Sequence, residues 1–462
     1  MTALSLSTRV LHADLDTPVS AFLKLRPLAT TSFLYESVEG PRQYARYSIL
    51  GVGSKRSYRV RDAVLTIATA DSTNTLPAHD PLSAIRNAAS QIQVNLPPDT
   101  PSFVGGIFGY LSYDAVRSFE PLGDHTGETE VDDALFIEPE LLAVFDNREQ
   151  TLTLYAEGAE WIDRGVSALR GELPAQTPAG TFQEPLASPS REDFKASVEK
   201  AKEHIRAGDI IQAVISRTFK MPRFCDPFDI YRGLRRINPS PYMYYIETPD
   251  IQIAGASPEV MVRVDDGTML VRPIAGTRKR GESEQADQAL ADELLADPKE
   301  RAEHIMLVDL GRNDVGRVAK PGSVNVKDLM VIEKYSHVMH IVSEVQGQLN
   351  DEYDAYDALR AAFPAGTLSG APKVRAMQII DDLETEKRGI YGGAVGYFGR
   401  DGNADFGIAI RTMVGVGDDF TLQAGAGIVA DSDPEMETDE TEHKARAVIR
   451  AARWAASPEA TR

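Results

Sequence analysis

The sequence predicts an α+β fold with largely antiparallel sheets, on two observations. Runs of alternating or β-branched residues follow one another at hairpin length, and helical periodicities gather between two sets of such runs instead of alternating with single strands. In chain order, YSILGVG, AVLTIATA and TLTLYAEG read as strands broken by Gly, Asp and Asn. GGIFGYLSYDAVRSF reads two ways, its glycines marking close backbone approach ahead of a short helix. The stretch 171–193, GELPAQTPAGTFQEPLASPSRED, has neither period and reads as a linker. It separates an N-terminal part, 1–185, from a larger part, 186–462.

Beyond it, FKASVEKAKEHIRAG has helical spacing with Gly208 as a stop, IIQAVISRTFK alternates as a strand, and PFDIYRGLRRIN is a short helix. Strands follow in YMYYIE, IQIAGA, VMVRVDDGTMLVRP and HVMHIVSEVQGQL, with helices over 299–315, 353–362, 373–387 and 435–456. GIYGGAVGYFG, ADFGIAIRTMVGV and DFTLQAGAGIVA form the second run of strands.

The chain has 462 residues, 42% hydrophobic and 26% charged, enough for a large core. A net charge of −20 argues against nucleic acid or an anionic membrane as partner, since both need a basic face. No apolar run approaches the roughly 20 residues of a membrane span, and the N-terminus lacks an apolar core of signal-peptide length, so a cytoplasmic protein is expected. One cysteine, Cys225, excludes an internal disulfide, a Cys-rich zinc site and an iron–sulfur cluster, and its surroundings are not those of a nucleophile.

Two distant segments each carry carboxylates one helical turn apart: Glu300 and Glu303 in KERAEHIMLVDLGRND, Glu437 and Glu440 in PEMETDETEHKARAV. Such spacing usually marks a solvated helix face. Here apolar HIMLVDL follows Glu303, and the helix after Glu440 closes in AVIRAARWAA. If the two faces meet, they form an all-oxygen site suited to Mg²⁺. His337 and His340 in HVMHIVSEV fall on opposite faces of a strand, so they do not ligate one metal together; either is a core or surface histidine, or a proton carrier. The turns in PIAGTRKRG, FPAGTLSGAPK and QAGAGIVADSD offer backbone N–H groups to an anion but match no nucleotide fingerprint. Arg411, amid apolar residues on an expected inner strand, needs an anionic partner.

PIAGTRKRG, the run from Glu303 to Asp314, Y-S-x-V-M-H, FPAGTLSGAPKVRAM, RGIYGGAVGYF, IRTM, QAGAGIV and DETEHKA occur in the order found in chorismate-utilising enzymes. The resemblance covers about 190 to 456, and FLYESVEGPRQYARYSILG and NPSPYMYYI extend it in the anthranilate synthase branch of that family. It implies a sandwich of antiparallel sheets with helices outside. Water-adding relatives carry a lysine in the strand where this chain has Gln212, and aminodeoxychorismate synthases read PIKGT where this chain has Ala275. With neither amine present, the resemblance selects the anthranilate synthase large component. An aminodeoxychorismate synthase and a non-catalytic tryptophan-binding homologue are the alternatives.

The resemblance implies Mg²⁺ at Glu303 and Glu440, with Glu300 and Glu437 as further oxygens. It implies substrate contacts from Gly276, Thr277, Tyr391, Arg411, Lys444 and the amides of Gly425, Ala426 and Gly427. His340 is the expected proton donor or orienter at the departing hydroxyl, with Glu259 and Thr367 in acid and positioning roles. A regulatory L-tryptophan site is expected at Ser37, Pro241, Tyr242 and Met243, with Glu36-Ser37 opening one half of it. Since the chain carries no glutaminase signature, a separate glutamine amidotransferase subunit is the expected source of ammonia.

Overall fold

The computed structural model describes residues 4–38, 46–91, 94–96, 100–123, 127, 129–335 and 338–461. Two large sheets dominate these residues, one of 13 strands and one of 12. The first runs from Leu186–Ser188 through Gln212–Pro222, Asp419–Ile428, Thr412–Val416, Ile251–Ser257, Tyr242–Glu247, Ser32–Glu36 and Tyr47–Val52 to the N-terminal strands. The second runs from Ile274–Lys279 through Val338–Gln348, Thr268–Val271, Val260–Asp265, Ala404–Ile408, Ala394–Phe398 and Ile107–Leu111 to Thr73–Pro77. Pairing is antiparallel except where Leu4–His12 meets Val94–Asn95.

The two sheets pack face to face with helices on their outer faces. Alternation along each strand sorts the side chains. Phe33, Tyr244, Ile246 and Ile253 of the first sheet meet Phe108, Tyr110, Ile137 and Val395 of the second in the inner core. Their neighbours Leu34, Met243, Tyr245 and Ala254 point outward, under residues of the helices Pro18–Leu25, Pro227–Ile237 and Pro434–Ala455. Behind the second sheet, Leu82, Ile85, Val308, Val315, Ala358 and Leu359 come from the helices Pro81–Ala89, Pro298–Gly316 and Ala355–Ala362. Both sheets draw strands from each side of the 171–193 segment: Tyr242–Glu247 pairs with Ser32–Glu36, and Ala394–Phe398 with Ile107–Leu111. Among the described residues, no helix is long and apolar enough to cross a membrane.

Two sequence expectations change. The stretch 404–416 is not one strand: Ala404–Ile408 belongs to the second sheet and Thr412–Val416 to the first. Arg411 therefore lies on a bend between sheets, not on an inner strand, with φ of 51°. The chain makes a second crossing between Ile251–Ser257 and Val260–Asp265, at Pro258 and Glu259. The crossings are tied together, since Ile408 N–H donates to the Glu259 carbonyl at 3.0 Å and Ala256 N–H to the Arg411 carbonyl at 3.3 Å. The helix expected over 373–387 ends at Leu383.

Candidate active site and a second cavity

Because both crossings leave the ladders at the same place, Glu259 and Arg411 share a junction between the sheets. The Glu259 carboxylate accepts from the Thr367 hydroxyl at 2.8 Å. Burial pushes its pKa up to about 7, against the lowering effects of Thr367, Lys444 and Arg411. Arg411 has no salt-bridge partner among the described residues, and burial lowers its pKa, with the charge of Glu259 opposing. A half-buried cation without an ion-pair partner is costly, and an anion arriving to meet it lowers that cost.

His340 lies on Val338–Gln348, opposite Thr277. Its Nδ1 is 2.9 Å from the Gly276 carbonyl and 3.1 Å from the Thr277 hydroxyl. A carbonyl only accepts, so Nδ1 carries the hydrogen and Nε2 is left as the acceptor. Burial and the charge of Arg411 lower the histidine's pKa, opposed by the Gly276 carbonyl and Glu333. The neutral imidazole is the form at pH 7. Gly276 takes a left-handed φ of 65°, and a Cβ there would lie 3.1 Å from Glu300 Oε2. His337 lies outside the described residues.

Gly425, Ala426 and Gly427 pair with Ser216, Ile215 and Val214. Their amides face alternately outward and into the ladder. Gly425 N–H faces the Tyr391 hydroxyl, and Gly427 N–H points the same way. By that alternation Ala426 N–H is spent on the strand of Ile215, which corrects its expected role as an anion donor. A Cβ on Gly425 would stand 2.7 Å from both the Ile215 carbonyl and the Tyr391 hydroxyl, so the close approach requires glycine. Lys444 Nζ bridges the Gly425 carbonyl, at 3.0 Å, and Glu440, at 2.7 Å.

The acidic pairs occupy the first two turns of Pro298–Gly316 and Pro434–Ala455, helices capped by Asp297 and Asp433 with proline next in sequence. Glu303 is pushed up by burial first, then by Glu300 and Glu440, against Lys299 and Lys444. Glu437 is also pushed up by burial first and by Glu440, with Ser432, Lys444 and Lys299 opposing. The two helix ends therefore feel each other's charge. Their carboxylates are partly engaged elsewhere, Glu300 with Arg278 at 3.2 Å and Glu440 with Lys444. Among the described residues no three acidic, His or Cys side chains are gathered tightly enough to hold a metal ion. The donor chemistry, four carboxylates on two helix ends that feel each other's charge, is that of a hard divalent cation.

A larger cavity, of about 380 Å³, opens between the sheets, against 40 Å³ beside Glu259 and Thr367. Ser37, Pro241, Tyr242 and Met243, the residues singled out in sequence, all line it. Tyr242 donates to Asp405 at 2.6 Å, and Arg263 pairs with the same carboxylate. Glu36 is buried and held by Tyr231 and Arg235. Pro258 and Val260 also line this cavity, while Glu259 between them faces Thr367. Tyr335 lines it too, and its ring stands 5.7 Å from that of His340. Cys225 has its thiol pushed well up by burial and by Asp229 and Asp226, so it is a poor nucleophile.

Sequence reasoning gave no role to Arg388, Glu384 or Ser216, which form a buried network behind Tyr391. The available signals were the i, i+4 spacing of Glu384 and Arg388 and the place of Arg388 at the head of RGIYGG.

Residues 32–450 match the chorismate binding enzyme family. Anthranilate synthase component 1 of Acinetobacter calcoaceticus is 46% identical, over 95% of this chain and 93% of that protein. The protein of the same name from Aquifex aeolicus (strain VF5) is 44% identical, over 96% and 93%. Among solved structures, anthranilate synthase component I from Streptococcus pneumoniae TIGR4 superposes with a TM-score of 0.79 at 36% identity, covering 96% of this chain and 99% of that one. The menaquinone-specific isochorismate synthase of Escherichia coli, 18% identical with a TM-score of 0.74 over 97% and 95%, shares the fold. Matched along nearly its whole length, this chain belongs to the chorismate-binding enzyme family.

Proposed function

We propose that the chain is the large component of an anthranilate synthase, converting chorismate and ammonia to anthranilate and pyruvate in the first step of tryptophan biosynthesis. The observation that carries the reading is the junction where Glu259, Thr367, His340 and Arg411 gather, with no amine at either position 212 or 275. Lys444 is engaged by Glu440 and the Gly425 carbonyl, so with no amine at position 212 or 275 to activate water or attack the ring, the nucleophile comes from outside.

Arg411 and the outward amide of Gly427, with Lys444 and with Tyr391, toward whose hydroxyl Gly425 N–H points, would receive the enolpyruvyl carboxylate. Mg²⁺, held by Glu303 and Glu440 with support from Glu300 and Glu437, would neutralise the acidic helix ends and screen the ring carboxylate. Ammonia adds at ring C2 as the C4 hydroxyl leaves. A carboxyl with a pKa of about 7 is half protonated at neutral pH, so Glu259 is the better donor to the departing hydroxyl. Neutral His340 orients that hydroxyl by accepting its hydrogen at Nε2. Elimination of pyruvate then aromatises the ring.

The larger cavity is the proposed L-tryptophan site, in which an occupant presses on Pro258 and Val260 on either side of Glu259 and on Tyr335 beside His340. A separate glutamine amidotransferase subunit supplies ammonia, consistent with the inert setting of Cys225.

The test is a product assay on the isolated chain with chorismate and ammonium, with and without Mg²⁺. The expected result is Mg²⁺-dependent formation of fluorescent anthranilate and pyruvate, and no product from glutamine alone. A product retaining the enolpyruvyl group, identified by mass, would overturn the assignment.

A further inference from the structure

Behind the candidate carboxylate pocket, the outer edge of the strand Gln212–Pro222 is interrupted. Leu186–Ser188 pairs with its residues 218–220, and Gly370–Ala371 with residues 212–213. Between these two short strands, side chains complete the edge. Glu384 Oε1 accepts from the Ser216 N–H at 2.8 Å and from the Ser216 hydroxyl at 2.7 Å. Arg388 donates to the Val214 carbonyl at 2.6 Å and to the Leu368 carbonyl at 2.6 Å. The two side chains are joined bidentately, at 2.7 and 2.8 Å, and are 10% and 2% exposed. The guanidinium also lies 4.5 Å over the Tyr113 ring and 5.6 Å from that of Tyr391.

A buried ion pair adds little net stability over a well-packed apolar substitute. This pair is distinguished by what it holds. Val214 and Ser216 face Gly427 and Gly425 across the ladder. Leu368 follows Thr367, the hydroxyl donor to Glu259. Tyr391 N–H donates to the Arg388 carbonyl at 3.2 Å. Three segments far apart in sequence thus meet at one guanidinium, and each carries, or pairs across the ladder with, a group assigned to the substrate pocket.

We propose that Arg388, locked by Glu384, is the positioning residue of the substrate pocket, fixing Thr367, Tyr391 and Gly425 relative to one another without touching substrate. This rests on the active-site assignment above. Lysine at position 388 keeps the charge but loses the planar fork that reaches Glu384, Val214 and Leu368 together. In Arg388→Lys, kcat/KM for chorismate with ammonium falls by about 100-fold, with KM raised and kcat lowered together, because both binding and proton-transfer groups lose register. The ionisation expected of Glu259 near pH 7 moves as well. Glu384→Gln, which keeps an acceptor for Ser216 but not the charge, falls by about 10-fold in the same direction.

Near-UV circular dichroism of both variants reports native packing. The proposal is overturned if Arg388→Lys keeps wild-type KM and pH profile, or if its loss only tracks the fraction of folded protein. It is overturned equally if neither variant folds, which would make the pair structural. Wild type is assayed first: should it make no anthranilate, the active-site assignment itself fails and takes this proposal with it.

Discussion

Glu259 is half-buried between Pro258 and Val260 at a crossing between sheets, and its carboxyl is raised above the usual carboxylate range to about 7. The protonated form, the proposed acid, is therefore lost as pH rises through about 7. With free ammonia held constant, kcat/KM for chorismate should show an alkaline limb there, and Glu259→Gln should remove the limb and most of the activity. Retention of the limb in that variant would assign it to another group. The linkage to stability has the same sign: the proton is bound more tightly in the folded state, so its stabilising effect is lost as pH rises from the ordinary carboxylate range to about 7. At this scale the sequence was partly legible. Arg411 was marked by a charge among apolar neighbours, and the regulatory candidates by their motif. The bend at Arg411, the tautomer of His340 and the loss of Ala426 N–H to the ladder depend on pairings between distant segments. Arg388 and Glu384 were missed for the same reason, since their partners Val214, Ser216 and Leu368 come from elsewhere in the chain.

The elements that carry the carboxylates were the most legible, because their start signals are local: Asp297-Pro298 and Asp433-Pro434 are cap and first-turn pairs in the sequence itself. The Asp433 side chain accepts from the N–H groups of Glu435 and Met436. Asp433→Ala should therefore cost about 1 kcal/mol of stability, read by denaturant unfolding, and weaken the activation of the enzyme by Mg²⁺ because Glu437 and Glu440 follow within the next turns. An unchanged Mg²⁺ dependence would separate that helix end from the metal. The helix Glu284–Ala296 was not foreseen. It buries only Asp287, Ala291 and Leu294, too few apolar positions for a period, and Asp287 is held by Arg280. The split of 404–416 was illegible too, since nothing local tells a strand to change sheets.

Across the whole molecule, two sheets that each span the 171–193 segment put the large cavity and the reaction junction on opposite sides of one short peptide, 258–260. The α+β class and the sandwich were legible from strand spacing and motif order, whereas the proximity of the two sites follows from topology. Ser37→Phe should fill part of the cavity wall, leaving anthranilate formation near wild type while raising the tryptophan concentration needed for half-inhibition by about 10-fold or more. Unchanged inhibition in a dose–response assay would remove Ser37 from that site.

Central to the mechanism is Arg411, a cation without an ion-pair partner among the described residues that awaits the substrate's carboxylate. Calorimetric titration of Arg411→Met with chorismate in the presence of Mg²⁺ and the absence of ammonia, alongside thermal unfolding of the unliganded protein, tests this directly. The expected result is binding weaker by about 10- to 100-fold with a melting temperature equal to or above that of wild type, because a half-buried charge without an ion-pair partner has been removed. Wild-type affinity, or a fall in melting temperature with affinity retained, would show that Arg411 supports the fold and that the anion binds elsewhere.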